Sequence, residues 1–152
     1  MLTLLAEQQE CLWDEALPIE VRELPEDLAG LDRLLADPAV LGPIVEWFRR
    51  EVIEERRAVL TDGRPTIAME TYVRLMVLKQ RYRWGYRSLM VEVSDSIHLR
   101  RFCRISLSDR VPDDSTVRKL TRRIGPDTVN EITRVLIVAA TRSKRFRPRA
   151  VR

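Results

Sequence analysis

Histidine occurs once and cysteine twice among the 152 residues, and there are only 5 glycines. Each scarcity removes a class of chemistry. Cys11 and Cys103 are too few for a disulfide scaffold and too far apart for a local metal-ligand pair. The lone His98 reads as a surface or half-buried side chain and not as a zinc ligand. No glycine-rich phosphate loop and no Gly-x-Ser-x-Gly elbow is present, and no second histidine stands ready to serve a nucleophile. The longest unbroken apolar run, residues 135–140, is far short of the roughly 20 residues of a membrane-spanning helix. The sequence near Met1 does not look like a signal peptide, so a cytoplasmic protein without cofactor or metal site is expected.

What is present is charge, and it is unevenly placed. Residues 1–62 hold 6 Arg and no Lys against 15 Asp plus Glu, a net of −9. Residues 63–152 hold 21 basic and 8 acidic residues, a net of +13. With 24 Arg among 27 basic residues, base composition explains the choice of Arg over Lys. It does not explain why acids collect in one half. The asymmetry predicts that the C-terminal part meets a polyanion while the acidic part does something else.

No convincing period-two alternation of apolar and polar residues bounded by hairpin turns is present, and helical spacing recurs throughout, so the expected fold is an all-α compact bundle. Residues 2–13 form an apolar helical face at the start of an N-terminal helical arm, after which Leu17-Pro18 and Leu24-Pro25 hold the chain extended and loosely. Leu28, Leu31, Leu34 and Leu35 make a short helix that stops at Asp37-Pro38, where Asp37 can cap the next. A further start is expected at Pro43, with Ile44, Val45, Phe48 and Val52 on one face, Arg50 paired to Glu54 across a turn, and Asp62-Gly63 ending the acidic arm. Thr66 opens a helix to about Tyr82 that is apolar on nearly every side, leaving Glu70, Arg74 and Arg81 as a narrow polar stripe. Such a helix belongs at the centre of the core. Tyr86, Leu89, Met90 and Val93 define the next helix. The polar turn Ser94-Asp95-Ser96 caps another, which carries Leu99, Phe102 and Cys103 inward and His98, Arg100, Arg101 and Arg104 outward. This pair resembles a helix-turn-helix.

The most informative segment is residues 115–124. Asp113-Asp114-Ser115 caps it, and Gly125-Pro126 closes it. Val117, Leu120 and Ile124 face inward, which puts Ser115, Arg118, Lys119 and Arg122 on the opposite face with Arg123 at its edge. A basic face on a capped helix suits a DNA groove. Arg can donate two parallel hydrogen bonds to guanine, the other cations can neutralise phosphate, and Ser115 and Thr116 sit where a helix N-terminus binds a phosphate oxygen. The bland alternative is a solvated charged face. Candidate DNA-binding residues are therefore Ser115, Thr116, Arg118, Lys119, Arg122 and Arg123, joined by Arg100, Arg101 and Arg104 and by Lys144, Arg145 and Arg147 of a basic tail. The last helix, about residues 127–141, has a core stripe of Val129, Ile132, Leu136 and Ala139. Val135, Ile137 and Val138 lie off it and are expected to leave an exposed apolar patch.

In order along the chain, Gly63-Arg64-Pro65, Tyr72, Leu75, Leu78, Tyr82, Tyr86-Arg87-Ser88-Leu89, Val93-Ser94-Asp95-Ser96, Arg101-Phe102-Cys103 and Pro112-Asp113-Asp114-Ser115-Thr116 resemble the N-terminal domain of InsH-type insertion-sequence transposases. The resemblance covers about residues 60–138. It implies a helical DNA-binding region, residues 63–141, between the acidic arm of residues 1–62 and a tail of residues 142–152 leading to a ribonuclease H-like domain. In that family an Asp-Asp-Glu set on the second domain holds two metal ions, and it is expected to lie outside this sequence. Duplex DNA at terminal inverted repeats, a second copy of the chain or a full-length transposase are the implied partners. A protein-interaction module and a free-standing helix-turn-helix regulator are the competing readings.

Overall fold

The computed structural model describes residues 11–50 and 67–142, with side-chain surroundings up to residue 139. Among them every regular element is a helix: α1 (Leu12–Ala16), α2 (Ile19–Arg22), α3 (Glu26–Ala36), α4 (Pro38–Phe48), α5 (Met69–Tyr82), α6 (Tyr86–Asp95), α7 (Ile97–Phe102), α8 (Asp114–Ile124) and α9 (Pro126–Arg142). The all-α expectation holds. Most of the residue 2–13 face, the Val52 to Gly63 stretch with Glu54, the Thr66 start and the tail candidates Lys144, Arg145 and Arg147 lie outside the described residues.

The centre is α5, as its apolar circumference requires. Met69, Tyr72, Val73, Leu75, Met76, Val77 and Leu78 are all buried. Helices α6 and α9 pack on α5, α4 packs on α3 and α9, and α8 packs on α6 and α9. One continuous core joins Leu28, Leu35, Val40, Ile44 and Phe48 of the acidic half to the buried residues of α5 to α9. The polar stripe of α5 is a correction. Glu70 and Arg74 are buried, Arg74 completely, because acids and carbonyls of other elements meet them there.

Helix α4 does not restart at Pro43. It begins at Pro38, capped by the Asp37 carboxylate accepting from the Ala39 amide at 2.9 Å, and runs through Pro43. An interior proline costs a helix about 3 kcal/mol. Val40, Ile44 and Phe48, four residues apart and buried, return about 1.5–3 kcal/mol each through burial, which outweighs it.

Two helices end on arginines in the left-handed conformation. Arg83 (φ 55°) follows α5 and Arg104 (φ 61°) follows α7. In each, the next amide reaches back five residues, Trp84 to the Lys79 carbonyl at 3.1 Å and Ile105 to the Arg100 carbonyl at 3.0 Å. That pattern satisfies the last carbonyls of a helix and commonly uses glycine. Helices α6 and α7 are separated by Ser96 alone, whose hydroxyl accepts from the Leu99 amide at 3.2 Å. The cap is as expected, but the three-residue turn is not. In α9, Val135 is buried with Ile132, whereas Ile137 and Val138 are 61% and 38% exposed. Val135 therefore belongs to the core, and the outer patch is Ile137 with Val138.

Candidate nucleic-acid interface

Helix α8 orients its side chains as its periodicity dictates. Val117 and Ile124 are buried and Leu120 is half-buried, while Ser115, Thr116, Arg118, Lys119, Arg122 and Arg123 are exposed. Its start is held by backbone, the Thr116 and Val117 amides donating to the Asp113 carbonyl at 3.0 and 3.2 Å. The Asp113 side chain makes no capping bond. It pairs with Arg110 at 3.6 Å, and Asp114 pairs with Arg118 at 3.2 Å. The two carboxylates thus hold cations where caps were expected. The helix is fixed to α5 through Thr121, which donates to the Val117 carbonyl and accepts from the Tyr72 hydroxyl, both at 3.0 Å. Burial pushes the Tyr72 phenol up to about 12, so it stays a donor at any ordinary pH.

Beside α8 lie basic groups that helical periodicity could not join to it. The Tyr86 ring has Lys79 Nζ at 4.8 Å from its centroid and the Arg118 guanidinium at 5.6 Å. Ring and carboxylate together pre-position Arg118, since each attracts a cation. Next to it opens a groove of about 410 Å³ whose walls include Arg87, Met90, Val91 and Arg110. Lys79 lies in the last turn of α5, Tyr86 and Arg87 begin α6, and Arg110 lies in the loop before α8. Nothing in local spacing brings α5, α6 and α8 to one surface.

The α7 arginines sit in different surroundings. Arg100 donates to the Ser94, Ser106, Leu107 and Asp109 carbonyls at 3.3–3.4 Å, stapling the loop that follows α7. Arg101 pairs with Asp14 of α1 at 3.1 Å. Arg104 pairs with Asp32 of α3 at 3.2 Å and approaches Glu70 at 3.7 Å. All three are half-buried, as is His98, so the expected outward face of α7 turns instead toward carbonyls and acids of the same chain. The left-handed turn at Arg104 is what points it back.

Arg104 borders a buried ion cluster. Arg74 donates from Nε to Glu70 at 3.2 Å and from Nη1 to Asp32 at 2.6 Å and to the Phe102 carbonyl at 3.0 Å, with the Phe102 ring 5.3 Å from its guanidinium carbon. Burial also raises the Cys103 thiol well above its usual range, which keeps it protonated and inert. Among the described residues no three His, Cys, Asp or Glu side chains gather in a way that could hold a metal ion. Nor is any helix there long and apolar enough to cross a membrane.

The family model described as "Transposase domain (DUF772)" matches residues 37–123, more than half of the chain, from the Asp37 cap through most of α8. No curated protein and no solved structure matches.

Proposed function

The chain belongs to the DUF772 transposase-domain family, and from that premise we propose that it is the DNA-binding part of an InsH-type insertion-sequence transposase, recognising the terminal inverted repeats of its element. The observation that carries this reading is α8, whose exposed face holds Arg118, Lys119, Arg122 and Arg123 while its opposite face is locked into the core. Arg118 is the base-reading residue, because Tyr86 and Asp114 limit its freedom and an ordered guanidinium loses less entropy on forming two bonds to guanine. Lys119, Arg122, Arg123, Lys79 and Arg87 neutralise phosphates alongside, and Ser115 and Thr116 meet a phosphate at the helix start. Strand cleavage, with its two metal ions, belongs on this reading to a separate catalytic domain; Asp113 and Asp114, the adjacent carboxylates at the start of α8, each pair with an arginine. The chain then works on chromosomal DNA in the cytoplasm.

The test is binding to labelled duplexes with and without the inverted repeat. Arg118→Ala should cost about 1–3 kcal/mol on the repeat and less on random sequence. Equal losses on both duplexes would demote Arg118 to a phosphate contact, and no binding to either would end the reading. Assembly through α9 is a second reading, supported by the exposure of Ile137 and Val138. Ile137→Glu should then reduce self-association in sedimentation without lowering the melting temperature.

A further inference from the structure

Helices α1 and α2 are attached in an unusual way. The single buried residue of α1 is a carboxylate, Asp14, and α2 has none. Leu12, Trp13 and Ile19 face outward, exposed by 82%, 72% and 58%, and Leu17 and Val21 are only half-buried. Apolar burial, the main force that docks a helix, therefore contributes little here. What holds the segment is polar. Asp14 Oδ1 meets Arg101 at 3.1 Å with both side chains largely shielded, Asp14 Oδ2 accepts from the Cys11 amide at 2.9 Å, and Arg22 donates to the Asp14 carbonyl at 3.5 Å, while α2 lies against α7.

We propose that Arg101 on α7 is a latent phosphate-binding site, masked by Asp14 of the chain's own acidic N-terminal segment, and that duplex DNA reaches it only when that pair is broken and the segment lifts. The proposal rests on the DNA-binding reading above. A phosphate oxygen offers Arg101 an anionic acceptor like the Asp14 oxygen it meets now, so the exchange keeps the shielded cation paired. It also moves away a stretch, residues 11–23, that carries four acids and one arginine and would repel a nearby duplex. The neighbouring arginines limit the gain to one phosphate. Arg100 is spent on the loop carbonyls, and Arg104 is held by Asp32 on α3, whose Leu28 and Leu35 are anchored in the core. Thus α1 and α2 can lift while α3 stays.

Fluorescence anisotropy of full-length protein on a labelled duplex, across a salt series, tests this. Asp14→Asn should raise low-salt affinity on the order of fivefold and steepen log K against log salt by about 0.9, the slope of one more phosphate contact. Glu20→Gln removes the same charge from the same segment without touching Arg101 and should leave the slope unchanged. Adding Arg101→Ala to Asp14→Asn should restore the wild-type slope, and Arg101→Ala alone should not flatten it. An unchanged slope in Asp14→Asn, an equal effect from Glu20→Gln, or a gain that survives loss of Arg101 would each overturn the proposal while leaving the DNA-binding reading intact. Absence of wild-type binding at low salt would remove both.

Discussion

Arg74→Met is the perturbation that most severely tests how the acidic half is joined to the rest. The substitution keeps much of the apolar stem and deletes a guanidinium that is fully buried and binds Glu70, Asp32 and the Phe102 carbonyl. Breaking a buried ion pair by removing one partner costs about 3–5 kcal/mol. Arg104 remains 3.2 Å from Asp32 and 3.7 Å from Glu70, so it neutralises part of what is left and the lower end applies, about 3 kcal/mol. Against a total of about 5–15 kcal/mol for a typical domain that is a large fraction, and it should lower the melting temperature by roughly 6–12 °C. Urea unfolding followed by circular dichroism measures the difference. Arg81→Ala serves as the reference, since its pair with Asp27 at 3.3 Å is between two partly exposed side chains and should be worth at most about 0.5 kcal/mol. If Arg74→Met unfolds within about 1 kcal/mol of wild type, the buried cluster is no stronger than a surface pair and the argument is wrong.

Gly125→Ala should destabilise by about 1–2 kcal/mol in the same urea assay although no atom lies within 4 Å of the added methyl, because φ is +91° there and an L side chain is strained at that angle. In native protein a thiol reagent should label the half-buried Cys11 and spare the buried Cys103, with the second label appearing only on unfolding; prompt double labelling would show that α7 opens freely. Asp14 yields a pH dependence: burial alone would raise its carboxyl, but bonds from Cys11 and the charge of Arg101 outweigh that and hold it below its ordinary 3.8. A depressed folded value means its stabilisation is present above 3.8 and lost as pH falls through that lower value, so protection of the α1 and α2 amides should drop with acid in wild type and be flat in Asp14→Asn.

How much of this was legible in the sequence depends on distance along the chain. Helix α8 and the buried surface of α5 follow from spacing within a few residues, and the structure places Val117, Ile124, Tyr72 and Leu75 as that spacing requires. The Asp37 and Ser96 caps are equally local. The failures are of another kind. Glu70 and Arg74 make a polar stripe in projection, and only the arrival of Asp32, 42 residues earlier, turns that stripe into a buried cluster. Arg101 looks like a free surface cation until Asp14, 87 residues away, is folded against it. Arg83 and Arg104 occupy backbone positions where glycine is the usual signal, so the sequence is silent about both turns. For the candidate site, the α8 half was visible, whereas Lys79, Tyr86 and Arg87 required the packing of three helices.

The central claim is that α8 and its neighbours form a phosphate-binding surface for duplex DNA. Anisotropy of a labelled duplex at increasing salt measures it directly. If about five of the available cations neutralise phosphates, log K against log salt should fall with a slope near −4.5, and Lys119→Ala or Arg123→Ala should each flatten it by about 0.9. A slope near zero, or no binding at low salt, would contradict the account.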